Sequence, residues 1–139
     1  MSDNAVIQDA LRAVLRERGE VVVPPEGYSM GLRYRRTDGL VLQKTSRRIR
    51  VGDVVAYARG SVWVLHRVMM ARGDQLWTQG DALATMDASP IRREQVEAVL
   101  VARIVRGRRL RETRRYAGWC VLRSGLQGLA SRFRSTFTH

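Results

Sequence analysis

Apolar side chains recur at Val6, Ile7, Ala10, Leu11, Val14 and Leu15, the three-and-four spacing of a helix face. Ser2, Asp3 and Asn4 precede them as N-cap residues, and Gly19 follows as a stop. The spacing predicts an amphipathic helix of about four turns over residues 1–19. From Glu20 the period shortens. Glu20-Val21-Val22-Val23 reads as a strand closed by Pro24-Pro25; proline has no N–H for a ladder, so the strand ends there or lies at a sheet edge. Thr37-Asp38-Gly39 turns into a strand at Leu40-Val41-Leu42-Gln43, and Gly52-Asp53 into a buried one at Val54-Val55-Ala56-Tyr57. Arg59-Gly60 makes a hairpin turn into Ser61-Val62-Trp63-Val64-Leu65-His66-Arg67-Val68, and Gly73-Asp74 turns into Gln75-Leu76-Trp77-Thr78-Gln79. Arg92-Arg93-Glu94-Gln95-Val96 is a helical turn or loop before a closing strand at Val99-Leu100-Val101-Ala102-Arg103-Ile104-Val105. Short strands with Gly-Asp turns at regular spacing predict a mainly β, antiparallel, barrel-like core over residues 20–105.

Past Val105 the character changes. Arg106-Gly107-Arg108-Arg109-Leu110-Arg111 and Arg114-Arg115 form a basic run. Trp119, Leu122, Leu126, Leu129 and Phe133 then recur at helical spacing among arginines, with glycines at 118, 125 and 128 that weaken a helix. Residues 106–139 therefore read as a basic amphipathic extension, which packs on the core, binds a peptide or partner, or lies on an anionic membrane surface.

The chain has 139 residues, enough for one domain, and 45% of them are apolar, which marks a globular protein. Its formal net charge is +12, and Lys44 is the only lysine among 25 basic residues. That balance suits an anionic partner or follows from a base composition that exchanges lysine for arginine. Nucleic acid is disfavoured, because no recognition-helix pattern is present and aromatics are not interleaved with the arginines as stacking platforms. Cys120 is the single cysteine, so neither an internal disulfide nor a cysteine-cluster metal site is available, and no cofactor or metal is expected. No signal-peptide-like apolar segment and no run of eighteen apolar residues occurs. The expected location is cytoplasmic or peripheral at the inner face of a membrane.

The candidate chemistry begins at Glu26-Gly27-Tyr28-Ser29-Met30. Gly27 permits a tight turn, so Ser29 lies just past a strand end, where a nucleophile is exposed and adjacent backbone N–H groups can face an oxyanion. A Gly-x-Ser in a turn is also ordinary turn chemistry. His66 alternates onto the face of Val62, Val64 and Val68, opposite Trp63, Leu65 and Arg67. A polar residue on an apolar face needs a partner, and histidine exchanges protons near neutral pH. Asp81 and Asp87 follow the strand ending at Gln79-Gly80; either can orient a histidine through its second ring nitrogen, or cap a turn.

Taken in order, Gly27-Tyr28-Ser29-Met30, Val51-Gly52-Asp53-Val54-Val55-Ala56-Tyr57, Leu65-His66-Arg67-Val68 and Thr78-Gln79-Gly80-Asp81-Ala82 with Asp87 resemble the boxes of the signal peptidase I and self-cleaving repressor superfamily. The resemblance covers roughly residues 20–105. His66 in a His-Arg-Val context is similar to the archaeal and endoplasmic-reticulum branch, where histidine stands in place of the bacterial lysine; Lys44 falls in the wrong box for that lysine. The resemblance implies a serine endopeptidase that cleaves a peptide or leader bond, with Ser29 as nucleophile, His66 as general base and Asp81 or Asp87 as supporting acid. It also implies an extended substrate beside Val21, Val22, Val23 and Pro24, with Gly27 and Met30 in the substrate site. The chain departs from the family at Gly31-Leu32, where proline usually stands two positions after the methionine. It lacks the transmembrane anchor of membrane-bound relatives and leaves no room for a substrate-cap insertion. These departures point to a minimal soluble member dedicated to one peptide precursor. The alternative is a catalytically inactive module on the same core that holds a peptide or nucleic acid with its arginine surface.

Overall fold

Helix α1 (Asp3–Arg18) forms where the apolar spacing placed it, with Asp3 in its first turn and Arg16 and Arg18 in its last, each complementing the helix dipole. The computed structural model describes residues 3–25, 30–45 and 47–124, with Leu32 as backbone alone. The Gly19 N–H closes α1 onto the Leu15 carbonyl at 2.8 Å, in the left-handed conformation that a helix end favours. Leu15 is buried, and Leu11 and Val14 pack beside it against the sheet. A guanidinium–carboxylate pair from Arg12 to Glu97 fastens the helix, and the Trp63 indole N–H donates to the same carboxylate at 2.6 Å.

Among the described residues eight strands follow: β1 (Glu20–Val23), β2 (Gly39–Gln43), β3 (Val54–Arg59), β4 (Val62–Arg72), β5 (Gln75–Gln79), β6 (Ile91–Arg92), β7 (Val96–Val105) and β8 (Arg108–Arg111). All pairings are antiparallel. The order is β1-β2-β7-β3-β4-β5-β6, with β8 also on β7. The sheet is mainly antiparallel as expected, but it is not a closed barrel. Closure requires the first and last strands to pair. Here β1 has four residues, is followed by Pro24-Pro25 and among the described residues pairs only with β2, while β6 has two residues and pairs there only with β5.

Alternation along the strands divides the core between the two faces of the sheet. Val54, Ala56, Ala98 and Leu100 join Leu15, Leu40 and Tyr34 on one face. Val55, Tyr57 and Val99 join Val68, Leu76, Ile49 and Ile91 on the other. Trp63 and Leu65 pack with the first group and Val64 with the second, in agreement with the alternation along β4.

Three elements carried no clear periodic signal. Helix α2 (Leu32–Arg35) is a single turn and β6 is too short to alternate. The basic run after Val105 enters the sheet as β8, turning through Arg106 and Gly107, both at positive φ as a two-residue hairpin turn requires. Its arginines occupy a strand that is exposed throughout, where charge discourages edge-to-edge association. Helix α3 occupies 114–124 of the described residues; Ala117 and Cys120 face inward, and Trp119 and Leu122 are exposed. Leu126, Leu129 and Phe133 of the expected amphipathic segment lie outside the described residues. Among the described residues no helix is long and apolar enough to cross a membrane.

Candidate functional site

His66 lies in the middle of β4, buried, opposite Val55 of β3. Its Nδ1 is 2.6 Å from Asp87 Oδ2. Asp87 belongs to the loop between β5 and β6, and its N–H donates to the Thr78 carbonyl at 2.8 Å, which ties that loop to β5. The same Oδ2 accepts the Thr78 hydroxyl at 2.6 Å and the Tyr57 hydroxyl at 3.1 Å. Arg59 stands 3.6 Å away as a further cation. Burial pushes the Asp87 carboxyl up, but the bonds from Thr78 and His66 outweigh it and hold the group below the usual carboxylate range. An ionised Asp87 accepts the Nδ1 proton, which leaves Nε2 as the basic nitrogen of His66. No hydrogen bond engages Nε2 among the described residues.

Asp81 does not share this role. It faces Arg67, which donates from Nε and Nη2 to the two Asp81 oxygens at 2.9 and 2.8 Å. Arg67 and His66 are neighbours in one strand and so project to opposite faces of the sheet. Of the two aspartates in the candidate site, the structure gives Asp87 to the histidine and Asp81 to the arginine. Arg67 also donates to the Gly52 carbonyl at 2.8 Å and to the Tyr34 hydroxyl at 2.9 Å, and Tyr34 donates onward to Glu112 at 2.7 Å. Gly52 itself sits at φ +95°, and a Cβ there would meet the Ala117 methyl at 3.0 Å.

Glu26, Gly27, Tyr28 and Ser29 lie outside the described residues. The residues on either side of them do not. Pro24, Pro25 and Met30 line a cavity of about 550 Å³ together with His66, Trp63 and Leu65. That volume falls within the range of small-molecule and peptide side-chain sites. Val23 lines the cavity and belongs to the core, Val21 is a core residue, and Val22 is exposed. The β1 edge away from β2 carries no partner strand among the described residues. Downstream, Gly31 adopts φ +77° and Leu32 opens α2, so a helical turn stands where the family usually has proline. Lys44 is exposed at the end of β2, and Cys120 is a buried free thiol whose pKa burial pushes up.

Tyr57, Thr78 and Arg59 complete the surroundings of Asp87 and were not among the expected site residues. A signal for Tyr57 does exist in the sequence. The Arg59-Gly60 turn sets the hairpin register, which places Tyr57 opposite Val64 and diagonal to His66 on one face.

No family model matches the chain, and no curated protein and no solved structure matches it.

The site also sets an expectation for acid stability. Asp53 resembles Asp87: burial pushes it up, and the Arg47 fork and the Arg50 N–H hold it below the usual range. A carboxyl with a depressed folded-state pKa stabilises the fold above its unfolded value of about 3.9 and loses that contribution as pH falls through the folded value. Urea midpoints are expected to hold steady between about pH 7 and pH 5 and to fall below about pH 4. The fall should be smaller in Asp53→Asn, which starts lower at neutral pH. A midpoint constant down to about pH 3 would contradict the assignment.

Proposed function

We propose that the protein is a serine endopeptidase resembling signal peptidase I, of the histidine-containing branch, on a core of that family's type. It cleaves a peptide or leader bond by acyl transfer, and the substrate class is a peptide precursor. The observation that carries this reading is the His66–Asp87 contact at 2.6 Å beside a cavity whose wall includes Pro25 and Met30, the described residues that flank Ser29 in sequence. Ser29 Oγ attacks the substrate carbonyl carbon while His66 Nε2 takes its proton. The Ser29 backbone N–H receives the oxyanion. The tetrahedral intermediate collapses, the C–N bond breaks, and His66 returns the proton to the leaving amine. Water then attacks the Ser29 ester, giving its proton to His66 Nε2; the C–O bond to Ser29 breaks, His66 returns the proton to Ser29 Oγ, and the acid product leaves. The substrate adds as a strand to the free β1 edge, with alternate side chains entering the cavity at Val23 and Met30. Exposed Trp119 and Leu122 beside Arg115 support the further proposal that α3 brings the enzyme to an anionic membrane surface.

Mass spectrometry of candidate precursor peptides tests the reading. The wild-type protein is expected to yield two fragments from its precursor, and Ser29→Ala and His66→Ala to leave it intact. Equal processing by both variants would remove this pair from the chemistry.

A further inference from the structure

On the sheet face that carries α1, a second cavity of about 690 Å³ opens where β7 passes from one partner to another. Along one edge β7 pairs with β3 at Val96–Val99 and with β8 at Ala102–Val105. Around that junction gather Arg47, Arg50, Arg67, Arg109, Arg111 and Arg114. Among the described residues two carboxylates line the cavity with them, Asp53 and Glu112. Arg47 grips Asp53 through two bonds of 2.9 and 3.0 Å, and Arg114 shares that carboxylate at 3.3 Å. Arg109 is held by Glu20, and Arg67 by Asp81. Arg50 and Arg111 have no side-chain acceptor among the described residues, and Asp53 serves two cations at once. The cavity thus holds more guanidinium charge than its own carboxylates neutralise.

A guanidinium fork matches a carboxylate through two parallel N–H···O bonds, as Arg47 and Asp53 already do here. Among the described residues no aromatic side chain lines the cavity, so they offer a nucleotide base no aromatic stacking surface. One side-chain hydrogen bond links the cavity to the one at His66. Arg67 lines the arginine cavity, Tyr34 lines the apolar cavity, and the two are joined at 2.9 Å.

We propose that the arginine cavity seats acidic side chains of the peptide substrate, so that the enzyme selects a precursor with an apolar segment at the cut and a Glu- or Asp-bearing segment beyond it. This rests on the peptidase reading. It adds a specificity element, in which Arg50 and Arg111 supply the unpaired forks and Arg47 and Arg114 form the wall.

The test is binding to the full chain carrying Ser29→Ala, so that no turnover intervenes. The probes are a rhodamine-labelled dodecapeptide with an apolar half and a Glu-rich half, its Gln-rich counterpart, and inorganic pyrophosphate. At about 150 mM ionic strength the Glu peptide is expected to bind at least about tenfold tighter than the Gln peptide. Arg50→Gln/Arg111→Gln is expected to erase that preference, while Arg18→Gln/Arg72→Gln, which removes the same charge outside the cavity, preserves it. Equal affinity for the two peptides overturns the proposal, as does an equal loss in both double variants. Pyrophosphate binding that depends on Arg50 and Arg111 without a Glu preference also overturns it, in favour of a small phosphate ligand. Precursor cleavage that requires Ser29 and His66 but ignores acidic residues sinks the cavity assignment alone. A Glu preference without cleavage sinks the peptidase reading instead.

Discussion

Asp87→Asn is expected to slow precursor cleavage by about 10⁴-fold while the protein stays folded. The Oδ2 atom of Asp87 takes three donors at once, from His66, Thr78 and Tyr57. An asparagine can place either its oxygen or its amide nitrogen there. With the oxygen, the tautomer survives but the negative charge that stabilises a protonated His66 is gone. With the nitrogen, Nδ1 must become the acceptor, the ring proton moves to Nε2, and the base is lost. Both arrangements act on the chemical step, so kcat should fall with little change in KM. The loss of one charged acceptor should cost only about 1–3 kcal/mol of stability, because volume and shape are kept. Steady-state kinetics with a thermal melt separates the two effects. A rate within about tenfold of wild type would contradict the orienting role assigned to Asp87.

Arg67→Met is expected to destabilise the fold by about 3–5 kcal/mol. The guanidinium is fully buried, and the Asp81 side chain beside it is only 5% exposed. Burial alone would lower the Arg67 pKa, but the Asp81 bonds outweigh it and keep the charge in place. Methionine fills much of the volume but leaves the Asp81 carboxylate, the Gly52 carbonyl and the Tyr34 hydroxyl each short of a donor. For a domain of this size the loss corresponds to a melting temperature lower by about 10–20 °C. Arg67→Met/Asp81→Leu should recover part of it, because the second change removes the stranded charge. A single variant that loses less than about 1 kcal/mol in urea unfolding would mean that the network contributes little. In the His-Arg-Val triplet, then, the histidine belongs to the candidate chemistry and the arginine to the fold.

These two side chains also mark how far local pattern reaches. Period and turn residues were enough for α1 and for strands β1 to β5 and β7, because each rests on spacing within a few positions. The Val-rich segments and Gly-Asp turns have no good alternative conformation. The same alternation correctly placed His66 and Arg67 on opposite faces. It could not show that β1 and β6 stay apart, since closure depends on how seven strands accumulate pairing and twist, and the barrel-like expectation failed there. Nor could it find β8, whose arginines look like a solvated tail until β7 offers an edge to pair with.

The candidate site divides along the same line. Ser29, His66, Asp81 and Asp87 are visible as residue types in order along the chain, and their chemistry is intrinsic to hydroxyl, imidazole and carboxylate. Which acid meets which base is not. His66 and Asp87 are 21 positions apart and Arg67 and Asp81 are 14 apart, both spanning the β4–β5 hairpin. The bulge between Val68 and Met70 and the bond from the Asp87 N–H to Thr78 set where each loop carboxylate arrives. Tyr34 and Glu112 are 78 positions apart, and the arginine cavity draws on the loop before β3, on β7 and β8, and on the start of α3. Residue identity and nearest-neighbour period therefore settle the elements and the available chemistry. The pairing of buried charges is settled by long-range packing, because a buried carboxylate or guanidinium is stable only against the partner that the folded sheet brings to it.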